Sequence, residues 1–316
     1  MTAFEQTVLN VAGVQNGHIH TMWTVLIYIC TAMYLLVVCF LFWALWRARK
    51  TGHAHRTPDA PGMSTALHAW IGLVVVALFG ITVTSYAVDR AIFRANQHKG
   101  LVLQVTSQQW WWTIEYENDD PSQSFQTANE IHLPVNVPVT LSLRSPDVIH
   151  SFWVPNLHGK QDLIPGRDTD IHLQPTRVGV FRGQCAEFCG AQHANMAVFV
   201  IVESQQDFDR WRAGQLQPAR EPSDSTTTHG RDAFMTSACA LCHTIRGTDA
   251  GGVTGPDLTH VASRLSLAAG TLNYSRGNLA AWIADPQGIK PGNHMPKVGL
   301  PPDDLQSITA YLDGLK

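Results

Sequence analysis

Charge is sparse in this sequence. Asp, Glu, Lys and Arg make up 15% of its 316 residues, and the formal net charge is -3. A balance that near neutral carries no nucleic-acid footprint, so no nucleic-acid partner is expected. Charge is missing altogether from residues 22–46 and again from residues 69–88, runs of 25 and 20 residues. At about 1.5 Å per residue, a helix of either length reaches across a hydrocarbon core of about 30 Å. No basic segment precedes the first run, which is too long for a signal-peptide core, so it reads as a retained anchor. Neither run holds a histidine cluster, and nothing in the chain looks like an oxygen-binding site. Internal repeats are lacking too.

The charges that are present are unevenly spread. Residues 1–96 hold six Lys or Arg against three Asp or Glu, residues 97–203 hold six against eleven, and residues 229–316 hold seven of each. The acidic middle favours a basic partner surface. Trp23, Trp43, Trp46, Trp70 and Tyr86 lie near the ends of the uncharged runs, where interfacial aromatics sit. Between the runs stand Arg47, Arg49, Lys50 and Arg56, with Asp59 the lone acid. The positive-inside rule puts that loop in the cytoplasm and both termini outside. Residues 1–21 carry Glu5 and no Lys or Arg, as suits a translocated tail. The expectation is a multi-pass protein of a bacterial inner (plasma) membrane, in contact with lipid, whose later domains face the periplasmic or outer side.

From residue 101 the texture changes. Residues 101–117, 130–144 and 179–203 are rich in Val, Ile, Thr and aromatics and are punctuated by Pro and Gly, which predicts an antiparallel β-sandwich or barrel. Residues 215–228 (QLQPAREPSDSTTT) read as a linker. Beyond Gly230 the pattern turns helical, with helices predicted over 279–284 and 303–315.

The six cysteines fall in three pairs. Cys30 and Cys39 sit in the first apolar run and read as packing residues. Cys185 and Cys189 lie in GQCAEFCGAQHANM, with His193 and Met196 just beyond and His150 upstream in DVIHSFWVP. Thiolate, thioether and imidazole ligands together select copper. Two thiolates can bridge two metals, leaving one imidazole and one weaker axial ligand for each. A tetrahedral zinc site from His150, Cys185, Cys189 and His193 is an alternative that leaves Met196 idle. A Cys185–Cys189 disulfide is another, and it leaves both histidines and the methionine unexplained. Asp147, three residues before His150, could orient that ligand or serve as a turn acid.

Cys239-Ala-Leu-Cys242-His243 is the c-type haem attachment motif. On a helix both thiols and the imidazole share one face. Met295 is the sole methionine after Cys242. Met/His ligation raises the haem potential and suits electron transfer. His294 is the rival axial ligand, and Trp282 is either a haem-packing or an ordinary core residue.

The stretches DVIHSFWVP, GKQDLIPGR and GQCAEFCGAQHANM resemble the CuA domain of cytochrome c oxidase subunit II, and residues 1–205 as a whole resemble that family. Residues 230–316 resemble small class I cytochromes c, and the fusion resembles the caa-type haem-copper oxidases. The resemblance implies a multidomain membrane protein. Its parts are an N-terminal tail and transmembrane helical hairpin (1–96), an all-β cupredoxin-like CuA domain (97–205), a linker (206–228) and an all-α cytochrome c domain (229–316). It implies bridging thiolates at Cys185 and Cys189, imidazole ligands at His150 and His193, a thioether at Met196 and a carbonyl ligand at Glu187. The Glu187 carboxylate is implied to help bind magnesium at the boundary with subunit I. Covalent haem c is implied at Cys239, Cys242 and His243, with Met295 as the second axial ligand and the Pro256 carbonyl accepting the His243 N–H. Trp110, first of Trp110-Trp111-Trp112, is implied to lie exposed above the copper and to receive electrons. Where the family often has His, this chain has Gln108. The implied function is to relay electrons from cytochrome c or another donor through haem c and CuA to subunit I, with subunit III alongside, where oxygen is reduced to water. The same relay feeding a nitric oxide reductase, and a copper-binding assembly factor, are the rivals.

Overall fold

The computed structural model describes residues 4–51, 62–97 and 100–316. These fall into two units, residues 17–97 and residues 4–16 with 100–316.

The first unit is helical. Helix α1 spans Val14–Thr51 and α2 spans Met63–Ala95, 38 and 33 residues. Both outrun the uncharged stretches, because the flanking Arg47, Arg49, Lys50, Arg90 and Arg94 are themselves good helix formers. Their most apolar windows are wholly unburied, and Tyr28, Phe40, Val76 and Phe79 point outward. So much exposed apolar surface needs hydrocarbon or protein against it. Cys30 and Cys39 are exposed on this surface. Arg47 and Lys50 lie over the rings of Trp43 and Trp46, an arrangement suited to a headgroup layer. Arg56 and Asp59, which enter the topology argument, lie outside the described residues.

The second unit opens with a sandwich of two five-stranded sheets. Its strands are β1 (Leu101–Gln108), β2 (Trp111–Tyr116), β3 (Phe125–Ala128), β4 (Glu130–Pro134), β5 (Val139–Arg144), β6 (His150–Trp153), β7 (Gln161–Leu163), β8 (Thr169–Leu173), β9 (Gly179–Cys185) and β10 (Ala197–Glu203). One sheet runs β3-β2-β1-β5-β8 and the other β4-β10-β9-β6-β7. The pairs β1–β5 and β4–β10 are parallel, so the sandwich is mixed where an antiparallel one is predicted. Alternation along β1 buries Leu103, Val105 and Ser107. Trp112 and Phe152 meet edge to face at 5.8 Å in the core between the sheets.

Two segments depart from the sequence reading. The N-terminal tail lies along the sandwich: Glu5 N–H donates to the Val180 carbonyl, the Glu5 carbonyl accepts from Arg182 N–H, and the Arg177 guanidinium grips the Glu5 carboxylate at 2.7 and 2.9 Å. The stretch assigned to a linker is helical over Gln205–Gln215 (α3), capped by the Ser204 side chain. Polar composition hides two aromatics three apart, Phe208 and Trp211, which share one face and pack on Tyr116 and Phe125.

The helical end comprises α4 (Ser225–Thr236), α5 (Cys239–Cys242), a small ribbon of β11 (Ser266–Leu267) and β12 (Leu272–Asn273), then α6 (Arg276–Ala284), α7 (Pro286–Ile289) and α8 (Pro302–Asp313). A capping box of Asp224 and Thr227 starts α4. Helices α4 and α8 pack with Gly230 at their closest approach, where a Cβ would overlap the Ser307 carbonyl. Phe234, Ile245, Leu279, Ile308 and Tyr311 form the core beside them.

Candidate metal centres

One group of donors gathers at an end of the second sheet. His150 opens β6, Cys185 closes β9, and the loop from Cys185 to Met196 returns the chain to β10. The Cys185 and Cys189 sulfurs stand 3.7 Å apart and are free thiols, which removes the disulfide. His150 Nδ1 lies 3.7 Å from the Cys185 sulfur, and His193 Nδ1 lies 3.6 Å from that of Cys189. The Glu187 carbonyl is 3.2 Å from Cys185 Sγ, and Met196 Sδ is 3.9 Å from Cys189 Sγ. Each sulfur therefore has its own imidazole and its own weaker donor. His150, Cys185 and Cys189 also form a tight three-ligand cluster that does not include His193.

The electrostatics suit cations. The hydrogen bond with Cys189, helped by His150 and outweighing burial, pulls the Cys185 thiol well below the usual thiol range. The Cys189 thiol is pushed far up in turn, because its neighbour already holds a thiolate and burial adds to the penalty. Two adjacent thiolates coexist only with positive charge between them. Burial opposes charge on His150, but Cys185 and Asp147 overcome it and raise the imidazole. Asp147 accepts from His150 Nε2 at 3.0 Å and from Gln109 N–H at 2.7 Å. It thereby fixes the His150 ring and leaves Nδ1 facing Cys185.

Trp110 is not exposed above this loop. The residue is 8% accessible, and its Nε1 donates to the Cys189 carbonyl at 3.0 Å. The helical end folds over it, bringing the His294 ring to 6.4 Å. Gln108 holds Thr113, while Gln109 donates to the Cys189 carbonyl at 2.7 Å.

The second group lines a cavity of about 330 Å³ within the helical end. Cys239, Cys242, His243 and Met295 stand on its walls among Phe234, Val261, Leu279 and Trp282, and Trp110 closes one side. His243 Nδ1 donates to the Pro256 carbonyl at 2.8 Å, which aims Nε2 inward. Burial lowers the His243 pKa and keeps a neutral imidazole ready to ligate. A Cβ on Gly255 would fall 2.6 Å from His243 Cε1, so only glycine leaves room for this ring. His294 also reaches the cavity but is exposed and turned toward Trp110.

Family models match the chain twice: cytochrome c oxidase subunit II, periplasmic domain, over residues 119–204, and cytochrome c over residues 227–316. Cytochrome c oxidase subunit 2 of Alkalihalophilus pseudofirmus is 33% identical over 317 aligned positions, covering 98% of this chain and 91% of the relative. The chain belongs to the cytochrome c oxidase subunit 2 family. Cytochrome c oxidase subunit 2 of Bacillus subtilis is 27% identical, covering 94% of this chain and 87% of its own length. Among solved structures, the periplasmic domain of subunit II of the Bradyrhizobium japonicum cytochrome oxidase is 29% identical, covering 37% of this chain and 95% of that one, with a TM-score of 0.35. Copper and haem c follow from the two families, as does a membrane-anchored chain with an outward domain.

The residues fit both groups. The sulfur–imidazole–thioether set is a soft copper set. In the cavity, Arg264 Nε and Ser266 Oγ are buried without hydrogen-bond partners, as donors awaiting the anionic edge of a haem would be. Arg264 otherwise donates to the Asp257 carbonyl. Sequence reasoning missed Arg264, Glu130 and Lys290. Each lacks a motif, and only contact between distant segments gives it a role.

Proposed function

We propose that this subunit of a terminal oxidase takes electrons in at its cytochrome domain and hands them on from a binuclear copper loop to subunit I, with subunit III alongside. The copper reading assigns bridging thiolates to Cys185 and Cys189, imidazoles to His150 and His193, and axial donors to Met196 and the Glu187 carbonyl. It is favoured over one tetrahedral zinc because His193 lies outside the three-ligand cluster and beside Cys189 alone. The haem reading assigns Cys239 and Cys242 to thioether links and His243 and Met295 to the axial positions. When bound, both groups supply reversible one-electron chemistry. The chain's own part is to hold them near one another and away from water.

The observation that carries the direction is the place of Trp110. It is wedged between the Cys189 carbonyl and the wall of the cavity, and it is closed to solvent. A soluble cytochrome c or other donor cannot touch it, so electrons come to it from the cytochrome side. On the opposite part of the copper loop, Phe188 is 74% exposed and Glu187 is exposed with it. An exposed phenylalanine next to a copper ligand suits coverage by subunit I, and the Glu187 carboxylate there suits a shared magnesium ion. The hairpin is read as two membrane passes, with copper and haem on the periplasmic or outer side.

Rapid-mixing optical kinetics on the intact complex test this reading. The donor should reduce haem first and copper second, and a Met295→Leu variant should lose copper reduction. Full-speed copper reduction in that variant would sink the proposed order.

A further inference from the structure

The cytochrome domain is fastened to the copper loop by a residue with no part in ligation. Lys290, at the end of α7, is 3% exposed. Its Nζ donates to the carbonyls of Trp110 at 2.8 Å, Asn195 at 2.6 Å and Ala268 at 2.9 Å. An ammonium has three donors, and all three are used. A buried cation without such acceptors is strongly disfavoured, so the convergence of three carbonyls is what allows it here. Two of the acceptors belong to the sandwich and one to the helical end.

Each acceptor is placed to matter. Asn195 precedes the candidate ligand Met196. Trp110 also donates to the Cys189 carbonyl at 3.0 Å. Five residues beyond Lys290 the chain reaches Met295. Around this point the joint is stitched by Gln192 Nε2 to the Pro291 carbonyl at 2.7 Å, Ala197 N–H to the Ala269 carbonyl at 2.9 Å, and Leu265 N–H to the Glu130 carboxylate at 2.5 Å. Gly270 packs so closely on Ala197 that a Cβ there would meet its methyl at 2.7 Å.

We propose that Lys290 is a positioning residue: by clasping backbone carbonyls of both domains it fixes the haem-ligand segment against the copper-ligand loop, so that the two work as one docked unit. This rests on the relay reading above. The clasp replaces the free movement that a long polar linker would allow.

The test uses the full chain in the assembled, detergent-purified oxidase, with Lys290→Met and Lys290→Arg. Amide hydrogen exchange at Ala197 and Leu265 reads the joint without any electron transfer. Stopped-flow optics read the haem-to-copper step, and optical spectra and redox titration read each centre. In Lys290→Met, spectra and haem potential should hold while protection of both amides falls about tenfold or more, the loss expected for one charge-assisted hydrogen bond. Transfer should slow on the order of ten- to a hundredfold, since a displacement of about 1 Å has effects of that size on a positioned reaction. Arg should not rescue, because a planar fork cannot cap three converging carbonyls. Wild-type protection and rate in Lys290→Met would overturn the proposal. Should that variant lose its copper, it is compared with copper-depleted wild type: protection below that of the depleted wild type supports the clasp, and equal protection overturns it. The relay reading fails by another route, through full-speed copper reduction in Met295→Leu, which leaves amide exchange unaffected.

Discussion

Gly230→Ala sets two effects of opposite sign against each other. Gly230 lies in the interior of α4, where alanine is the better helix former by about 1 kcal/mol. Were the site open, the substitution would stabilise the cytochrome domain. It is not open: a Cβ would overlap the carbonyl oxygen and carbon of Ser307 and come within 3.0 Å of the Ile308 nitrogen. These are backbone atoms of α8, so no side chain can rotate aside and the helices must separate. Overpacking costs about 1–3 kcal/mol, and an immovable neighbour favours the upper end. The net expectation is a loss of about 2 kcal/mol. For a domain of this size that lowers the midpoint by roughly 10 °C. Thermal unfolding of the detergent-solubilised chain, followed at the haem absorbance, reports this domain directly. Gly277→Ala is the control: Gly277 lies in α6 with nothing within 4 Å of a Cβ, so its midpoint should hold or rise. A rise in Gly230→Ala would refute the close helix crossing.

Other expectations concern the metal sites and the joint. Cys185→Ser should abolish a two-copper signal, whereas Met196→Leu should keep two coppers at a shifted potential; metal analysis with electron paramagnetic resonance distinguishes these from a single-metal site. Deleting residues 216–316 should leave copper bound, since every candidate copper ligand precedes residue 200, and should speed copper reduction by small artificial donors as Trp110 loses its cover; unchanged access would contradict the docked arrangement. Burial raises the Glu130 carboxyl from 4.5 to about 7, against the pull of the Leu265 N–H and Arg264. The folded state then holds a proton the unfolded state has released, so stability present below pH 4.5 is lost as pH rises through 7, by about 3 kcal/mol in all. The wild-type minus Glu130→Gln difference in unfolding free energy should fall across that window. The difference is the right quantity, because His158, lowered to about 4 by burial, slopes the other way over part of the same range. A flat difference would remove Glu130 from the account.

Much of this protein is legible in one dimension. The absence of charge over residues 22–46 and 69–88 marks both apolar helices, because hydrocarbon length sets a minimum run. The spacings Cys185–Cys189–His193–Met196 and Cys239–Cys242–His243 place donors on one loop and one turn, so local geometry alone brings them together. His150 comes from a different strand, yet its motif is distinctive enough to be recognised. Helix ends were less legible: charged residues propagate a helix as well as apolar ones do, so α1 and α2 run past the uncharged stretches. The helix α3 was hidden by its polar composition, since two aromatics on one face suffice to dock it.

What the sequence determined by itself is the chemistry: which side chains can bind metals, and which segments need lipid. Those properties reside in residue types and short spacings. What only the tertiary structure decided is how the two redox domains meet. Trp110 is covered, Lys290 is buried among three carbonyls, Glu130 is sealed against residue 265, and the tail around Glu5 lies on the sandwich. Apart from the Lys290–Ala268 bond, these contacts join segments roughly a hundred residues or more apart through backbone carbonyls or amides, or through pairings that a fold must first bring within reach. Every residue carries the same backbone groups, so no local pattern of side chains marks which of them will be used.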